Sequence, residues 1–479
     1  MEAQTGKTLK PITNRILWIF AVGQFGWSLL SGIVSTWLVH LYTGVPEKPG
    51  DTNGLFASFI TQSPILATLT LFGVITAFGR IFDAVTDPLI ASWSDRAGFR
   101  GGRRIPFMKA VAIPFALVTV AIFALPQTGS TTLNNVLMFL LLMLFYLFMT
   151  LYCTPYNALI AELGNTQKNR INVSTYISFT YIAGFSLSTL VPTVAGPLGS
   201  LVGGQENGMK LAIAILSLIA GAAMIIPSFL IKEREYIDSK PVNTPAFRSL
   251  IKTFADGQFR RFVYSDVIYF FAVTLFQTGL ADFETRLMDI DSSYTFLLTV
   301  LMTVVSLLLY PAVNLLAKKI GKKKLIITGF FTYSAVFLIT ALCGKGLFWG
   351  ILIAGCAGIP MAILGILPQA CVADVSELNT LKTGEDRSGM FFAARTFAMK
   401  LGQALSMVIY TSVTVATITR AADGTEIRSV SAGQYRTVAW IATAACVTGA
   451  VLFFFYREKK VLGDIERLKS EKPGSDSAD

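Results

Sequence analysis

Three observations predict an all-α membrane protein of twelve transmembrane helices, arranged as two pseudo-symmetric six-helix bundles. The 479 residues are 53% hydrophobic and 14% charged, with a mean hydropathy of +0.59, whereas a soluble domain carries about 25% charged residues. Apolar runs of about 20 residues, the length that crosses a ~30 Å hydrocarbon core, recur along the whole chain. Short basic and acidic motifs repeat between its two halves. Together these exclude a soluble enzyme.

Residues 1–15 are polar and basic, and the apolar run at 16–42 is too long for a signal peptide and lacks a small-residue cleavage site, so it is kept as the first span. The others, bounded by charge, Pro or Gly clusters, fall near 65–93, 106–125, 133–161, 171–195, 209–231, 259–282, 294–317, 323–343, 347–371, 389–415 and 435–456. The expected domains are an N-terminal bundle at 1–231, a charged cytoplasmic linker at 232–258, a C-terminal bundle at 259–456 and a polar cytoplasmic tail at 457–479.

The net charge of +11 does not indicate a nucleic-acid partner, because Lys and Arg sit in short loops between apolar runs. Thirty of the 40 basic residues fall on the side of the termini and 7 on the other. The positive-inside rule then makes both termini cytoplasmic, in a plasma or inner membrane. Cys153, Cys343, Cys356, Cys371 and Cys446 all lie in apolar segments without metal-type spacing, which supports neither a disulfide framework nor a zinc site.

The loop SDRAGFRGGRR (94–104) is echoed by AKKIGKKK (317–324), aligning Gly98 with Gly321, and PYNALIAEL (155–163) is echoed by PQACVADVSEL (368–378). Two such echoes at similar offsets point to a duplicated transporter.

An ionisable group at the bilayer centre costs about 2.5–3.5 kcal/mol even on insertion scales, so each needs a partner or a task. In GRIFDAVTDP, Asp83 and Asp87 stand one turn apart on one helical face with Thr86 beside them. The 1.5 Å rise places them about 16 Å and about 10 Å from the cytoplasmic boundary. Two close carboxylates and a hydroxyl suit a coupling cation, Na⁺ or H⁺; the structural alternative pairs them with Arg80 and Lys400 to staple the bundle. Lys400, also near mid-membrane, would sense cation occupancy, donate to substrate, or form a permanent ion pair. Arg80 and Arg395 would gate, or pair with Asp83, Asp87 or a loop carboxylate. Asp266 is either intramembrane or a helix cap. His40, the only histidine, reads as structural rather than as a proton relay. Tyr152 and Tyr156 beside Pro155 pack in the core or stack on a sugar ring. In the loop 94–104, Asp95, Arg96, Arg103 and Arg104 form a cytoplasmic latch as well as a topology signal.

The segments GRIFDAVTDPLIASWSDRAGFRGGRRIPF (79–107), TPYNALIAEL (154–163) and ADVSELNTLKTGEDRSGMFFAARTFAMKLGQAL (373–405) resemble the glycoside-pentoside-hexuronide:cation symporters of the major facilitator superfamily, the family of the melibiose carrier. The resemblance implies the major facilitator fold and a cation site at Asp83, Thr86, Asp87 and Thr150, with Lys400 as the lysine near both cation and sugar. The family's sugar-binding positions look like Ser28, Cys153, Asn157 and Ile177 here. The loss of both carboxylates there argues against a galactoside. A different glycoside, a uronide held by Lys400, or an amphiphile remains open, since sodium-coupled lysophospholipid symporters are also relatives.

The implied activity is cation-coupled symport of a small molecule, a sugar favoured, by two bundles rocking about a midplane site. The partners are that substrate and the bilayer, the protein is expected to work as a monomer, and no cofactor is expected beyond the coupling cation. Two rivals differ in class. A prenyltransferase-type enzyme would need a second Asp-rich motif on the same side, whereas Asp282–Asp291 falls on the opposite face; a cation-independent facilitator or lipid mover would leave Asp83 and Asp87 without a task.

Overall fold

The computed structural model describes residues 10–42, 64–66, 69–99, 101–124, 130–163, 167–236, 246–383, 388–415, 417–420 and 426–471. It is almost wholly helical: α1 (Asn14–Tyr42), α2 (Leu71–Arg96), α3 (Ile105–Phe123), α4 (Thr131–Leu163), α5 (Gln167–Ser188), α6 (Val191–Val202), α7 (Gln205–Leu230), α8 (Glu233–Tyr236), α9 (Ala246–Ala255), α10 (Gly257–Asp282), α11 (Thr295–Ile320), α12 (Lys322–Leu342), α13 (Leu347–Thr383), α14 (Ser388–Val413), α15 (Ala432–Phe453) and α16 (Glu458–Ser470). A helix stands at every expected span. Among the described residues, nine helical segments are long and apolar enough to cross a membrane, or ten if the bent α5–α6 pair counts as one. The charge-bearing helices α2 and α14 are not among the nine.

Three boundaries differ from expectation. The span expected at 171–195 breaks, with a 42° bend. Pro192 lacks the N–H that would continue the ladder, and Ser188 and Thr189 turn their hydroxyls onto the carbonyls of Phe185 and Ser186. Helix α2 starts at Leu71, after a short antiparallel pairing of Pro64–Leu66 with Leu69–Thr70. Helix α13 runs on past residue 371 to Thr383, and the tail folds into α16 against it.

Two compact units emerge, Met1–Leu38 with Val85–Thr244 and Val39–Ala84 with Pro245–Asp479. The end of α1 and the first half of α2 group with the second unit. In the first unit α3 packs on α4 and α7, and α6 on α7. In the second, α10 packs on α14 and α15, α12 on α13 and α15, and α11 on α13.

Each unit contains the same local device. After α7, Glu233 accepts the backbone N–H groups of Arg103, Arg104 and Ile105 at 2.8, 2.8 and 3.0 Å, capping the start of α3. After α15, Glu458 accepts those of Lys322 and Lys323 at 2.8 and 2.9 Å, capping the start of α12. A carboxylate there satisfies orphan donors and complements the helix dipole. The glycine before each cap is left-handed, Gly102 at φ +124° and Gly321 at φ +90°, and a side chain at Gly102 would collide with the Glu233 carboxylate. Gly102, not Gly98, is thus the counterpart of Gly321. The second echo holds in function: Arg103 and Arg104 meet Glu162 of α4 at 3.2 and 3.1 Å, and Lys322 meets Asp374 of α13 at 2.5 Å. Near the chain start, Lys10 donates to Glu235 at 2.8 Å and holds that carboxyl below its usual range.

Removing either capping carboxylate leaves two or three buried helix donors to find water, which is expected to lower stability by about 1–3 kcal/mol. Thermal unfolding of the detergent-purified protein checks this for Glu233→Ala and Glu458→Ala; an unchanged midpoint in both would refute the capping role.

Candidate functional site

Helices α2 and α14 meet in an antiparallel register set by polar pairs. Gly73 lies against the Thr411 side chain, where any Cβ would clash, so the backbone of α2 comes close to α14 at that level. Two turns on, the Arg80 guanidinium Nη1 donates to Gln403 Oε1 at 3.3 Å. Next along both helices, Lys400 Nζ sits 2.8 Å from Asp83 Oδ2 and 3.4 Å from the Asp83 carbonyl. Asp83 is fully buried and Lys400 is 7% exposed. Each charge here makes the other tolerable, since either alone would be desolvated without compensation.

One turn beyond Asp83, the environment of α2 changes from cationic to hydroxylic. Asp87 is half-buried and accepts from Thr154 Oγ1 at 3.0 Å. Thr86 and Thr150 bring their hydroxyls within 3.4 Å of each other. Thr150 and Thr154 are one turn apart on α4, so α4 offers α2 a ladder of hydroxyl oxygens. A carboxylate with three hydroxyls is a donor set for a hard monovalent cation. Thr154 was not singled out from the sequence, although it opens the TPYNALIAEL motif; a position one turn from Thr150 was the available signal.

The expected sugar-contacting residues separate. Tyr152 and Tyr156 are fully buried, and their hydroxyls donate to the carbonyls of Met224 and Phe20 at 3.0 and 2.9 Å. Tyr156 also stacks on Phe20 at 4.1 Å. Both are core residues in this structure, the first of the two alternatives the sequence leaves for them. Ser28 is likewise buried, donating to the Phe25 carbonyl at 3.0 Å against Gly184 of α5. Of the rest, Asn157 is exposed while Cys153 and Ile177 are half-buried. The exposed aromatic on α1 is Trp18, stacked on Tyr176 of α5 at 4.3 Å with Phe179 at its edge. No motif marks Trp18 in the sequence.

The remaining charges form two buried clusters. Arg395 grips Asp266 through Nε and Nη2 at 2.8 and 3.1 Å, with its guanidinium over the Phe270 ring. Asp266 on α10 is therefore the ion-pair partner of a residue on α14 rather than a cap, the cap of α10 being Asp256. Arg395 takes Asp266, in place of the expected Asp83, Asp87 or loop carboxylate. In the second cluster, Asp282 receives His40 Nδ1 at 2.6 Å, Arg286 Nη1 at 2.8 Å and the Tyr410 hydroxyl. Arg286 also donates to Tyr435 and to the His40 carbonyl, at 3.1 and 3.3 Å. His40 thus anchors the end of α1 within the second unit, a structural role in keeping with the sequence reading, but its partners lay too far along the chain to be foreseen. The side chains of Asp95 and Arg96 lie outside the described residues.

A family model described as MFS/sugar transport protein matches residues 19–457. The isoprimeverose transporter of Lactiplantibacillus pentosus is 22% identical over 487 residues, covering 97% of this chain and 94% of that protein. The sodium-dependent lysophosphatidylcholine symporter 1 of Mus musculus is 23% identical over 381 residues, covering 73% of this chain and 70% of its own length. Among solved structures, the D-xylose-proton symporter superposes with a TM-score of 0.63 at 15% identity, covering 93% of this chain and 98% of that one.

Asp266→Asn leaves the Arg395 guanidinium buried without its anion, an expected loss of about 3–5 kcal/mol. The double variant with Arg395→Gln is expected to recover part of that loss in a thermal-unfolding double-mutant cycle. Strictly additive losses would show that the pair is not coupled.

Proposed function

The chain belongs to the MFS/sugar transport family, as a glycoside-pentoside-hexuronide:cation symporter type of major facilitator, and from that premise we propose that it couples entry of a monovalent cation to uptake of a sugar or glycoside by alternating access. The observation that carries the reading is the buried Asp83–Lys400 pair, with Asp87 and its hydroxyl donors one turn away. In this reading the chain crosses the membrane twelve times with both termini cytoplasmic, in a plasma or inner membrane, and works as a monomer.

The chemistry follows from competition for one carboxylate. The Lys400 ammonium neutralises Asp83; a cation held by Asp83, Asp87, Thr86 and Thr150, joined by Thr154, would replace that ammonium. Lys400 would then be free to donate to a substrate hydroxyl or carboxylate. Cation and substrate thereby favour the same state, and the coupling is reciprocal. Each inward cation contributes about 2.3 kcal/mol per 100 mV, enough for roughly 50-fold accumulation by potential alone.

The substrate side favours an uncharged or weakly charged glycoside. Ser28 and Cys153 place no carboxylate where galactosyl hydroxyls would need one, and Trp18 is an aromatic face suited to a sugar ring. The isoprimeverose transporter supports a glycoside of this kind. The lysophosphatidylcholine symporter supports a second reading, an amphiphile as cargo, in which the same α2 cation site drives a different substrate.

Uptake into proteoliposomes of a panel of glycosides, uronides and lysophospholipids, with inward Na⁺ or H⁺ gradients, tests both. Gradient-driven accumulation is expected in the wild type, reduced at least tenfold in Asp83→Asn and in Asp87→Asn. Uptake indifferent to gradient and to both substitutions would remove the cation site and leave facilitated diffusion.

A further inference from the structure

Helix α10 does not stop at Asp282 but continues into a π turn, Phe283–Leu287, in which Met288 N–H reaches back to the Phe283 carbonyl at 3.0 Å. A π turn inserts a residue into the helical progression and is concentrated at functional sites. Here it carries Glu284, which is 3% exposed. The Glu284 side chain lines a small cavity in the second unit, with Phe276, Met288, Thr299, Met302 and Thr340 among its walls. The cavity has about 20 Å³ of space for a water-sized sphere, room for one water and far too little for a sugar.

The carboxyl is unlike the other buried acids of this chain. Asp83, Asp266 and Asp282 each hold a lysine, arginine or histidine, and Glu233 and Glu458 accept two or three backbone N–H groups. Among the described residues, no basic nitrogen lies within ion-pair distance of Glu284, and its Oε2 accepts no hydrogen bond. The Thr299 hydroxyl in the same cavity also has no hydrogen-bond partner among them. A buried carboxylate with no positive partner is strongly disfavoured, so the site calls for a positive ligand. A metal cation would need several oxygens, and beside the carboxyl the walls offer only the hydroxyls of Thr299 and Thr340, the rest being Phe, Leu, Met, Ile, Ala and Gly. A proton needs only the carboxyl itself.

We propose that Glu284 is a proton-binding site: a carboxylic acid held neutral in the cavity of the second unit, with Thr299 and one water's space beside it as the proton's way in or out. The charged groups on the surrounding elements do not displace this role. His40 from α1, Asp282 and Arg286 on either side of Glu284, Tyr410 of α14 and Tyr435 of α15 are bound to one another. Helices α11 and α12 contribute the uncharged Thr295, Thr299 and Thr340, α13 contributes Gly350, Ile353 and Ala354, and Asp289 pairs with Lys345 at the exposed edge. The site is separate from the α2 aspartates and does not depend on which ion they take.

Infrared spectroscopy of the purified, detergent-solubilised protein tests this without any transport assay. The wild type is expected to show the carbonyl stretch of a protonated carboxyl at neutral pH, sensitive to deuterium exchange. It should be lost in Glu284→Gln, shifted but kept in Glu284→Asp, and unchanged in Asp83→Asn and Asp87→Asn. Loss of the band in Glu284→Gln, in protein whose thermal midpoint matches the wild type, supports the assignment. A wild-type spectrum identical to that of Glu284→Gln would overturn it, whatever Asp83→Asn and Asp87→Asn do to uptake.

Discussion

The interaction on which the rest depends is the ion pair of Asp83 and Lys400. Two charges in the middle of long apolar helices are tolerable only when they face each other, and that requirement fixes the register of α2 against α14. Gly73 under Thr411, Arg80 beside Gln403 and Asp83 beside Lys400 follow one another along both helices. The backbones approach at the glycine and the long polar side chains span the wider levels. The same charges keep α2 and α14 out of the set of most apolar helices.

The capping devices at Glu233 and Glu458 solve a different problem in the same way. A helix starting at the membrane boundary has orphan N–H groups and a positive dipole end. In both units a glutamate from a distant helix end supplies the anion, and a left-handed glycine makes room for it. The basic residue after the glycine then reaches a carboxylate on a third element, Glu162 or Asp374. Three elements are tied at one corner in each unit. This recurrence at the level of atoms is firmer evidence of duplication than the sequence echoes, which set Gly98 rather than Gly102 against Gly321.

Legibility in the sequence followed the range of the interactions. Helix positions depend on runs of apolar residues and could be read off directly, within a few residues at most ends. The break between α5 and α6 depends on Pro192 acting together with two hydroxyls that turn inward, a local competition that an apolar run conceals. Asp83, Asp87 and Lys400 were conspicuous because charge in an apolar run is rare. Which acid each base meets was not readable: Arg395 with Asp266 and His40 with Asp282 are contacts between residues 129 and 242 positions apart. Tyr152 and Tyr156 were left open between the core and a sugar. Aromatic rings beside a proline suggest a sugar platform, but their hydroxyls find backbone carbonyls and their faces find other rings, which is the commoner fate of a buried tyrosine.

The pairing of Asp83 with Lys400 also bears on how a cation can act at a distance from its cargo. The Lys400 ammonium reaches two oxygens of Asp83, one of the carboxylate and the backbone carbonyl. In the proposed mechanism a cation at that carboxylate would compete directly with the ammonium. The neighbouring Asp87 accepts from the Thr154 hydroxyl. In the proposed exchange, one added positive charge at Asp83 would therefore act on the acid and on its lysine together, which lets ion and substrate favour the same state.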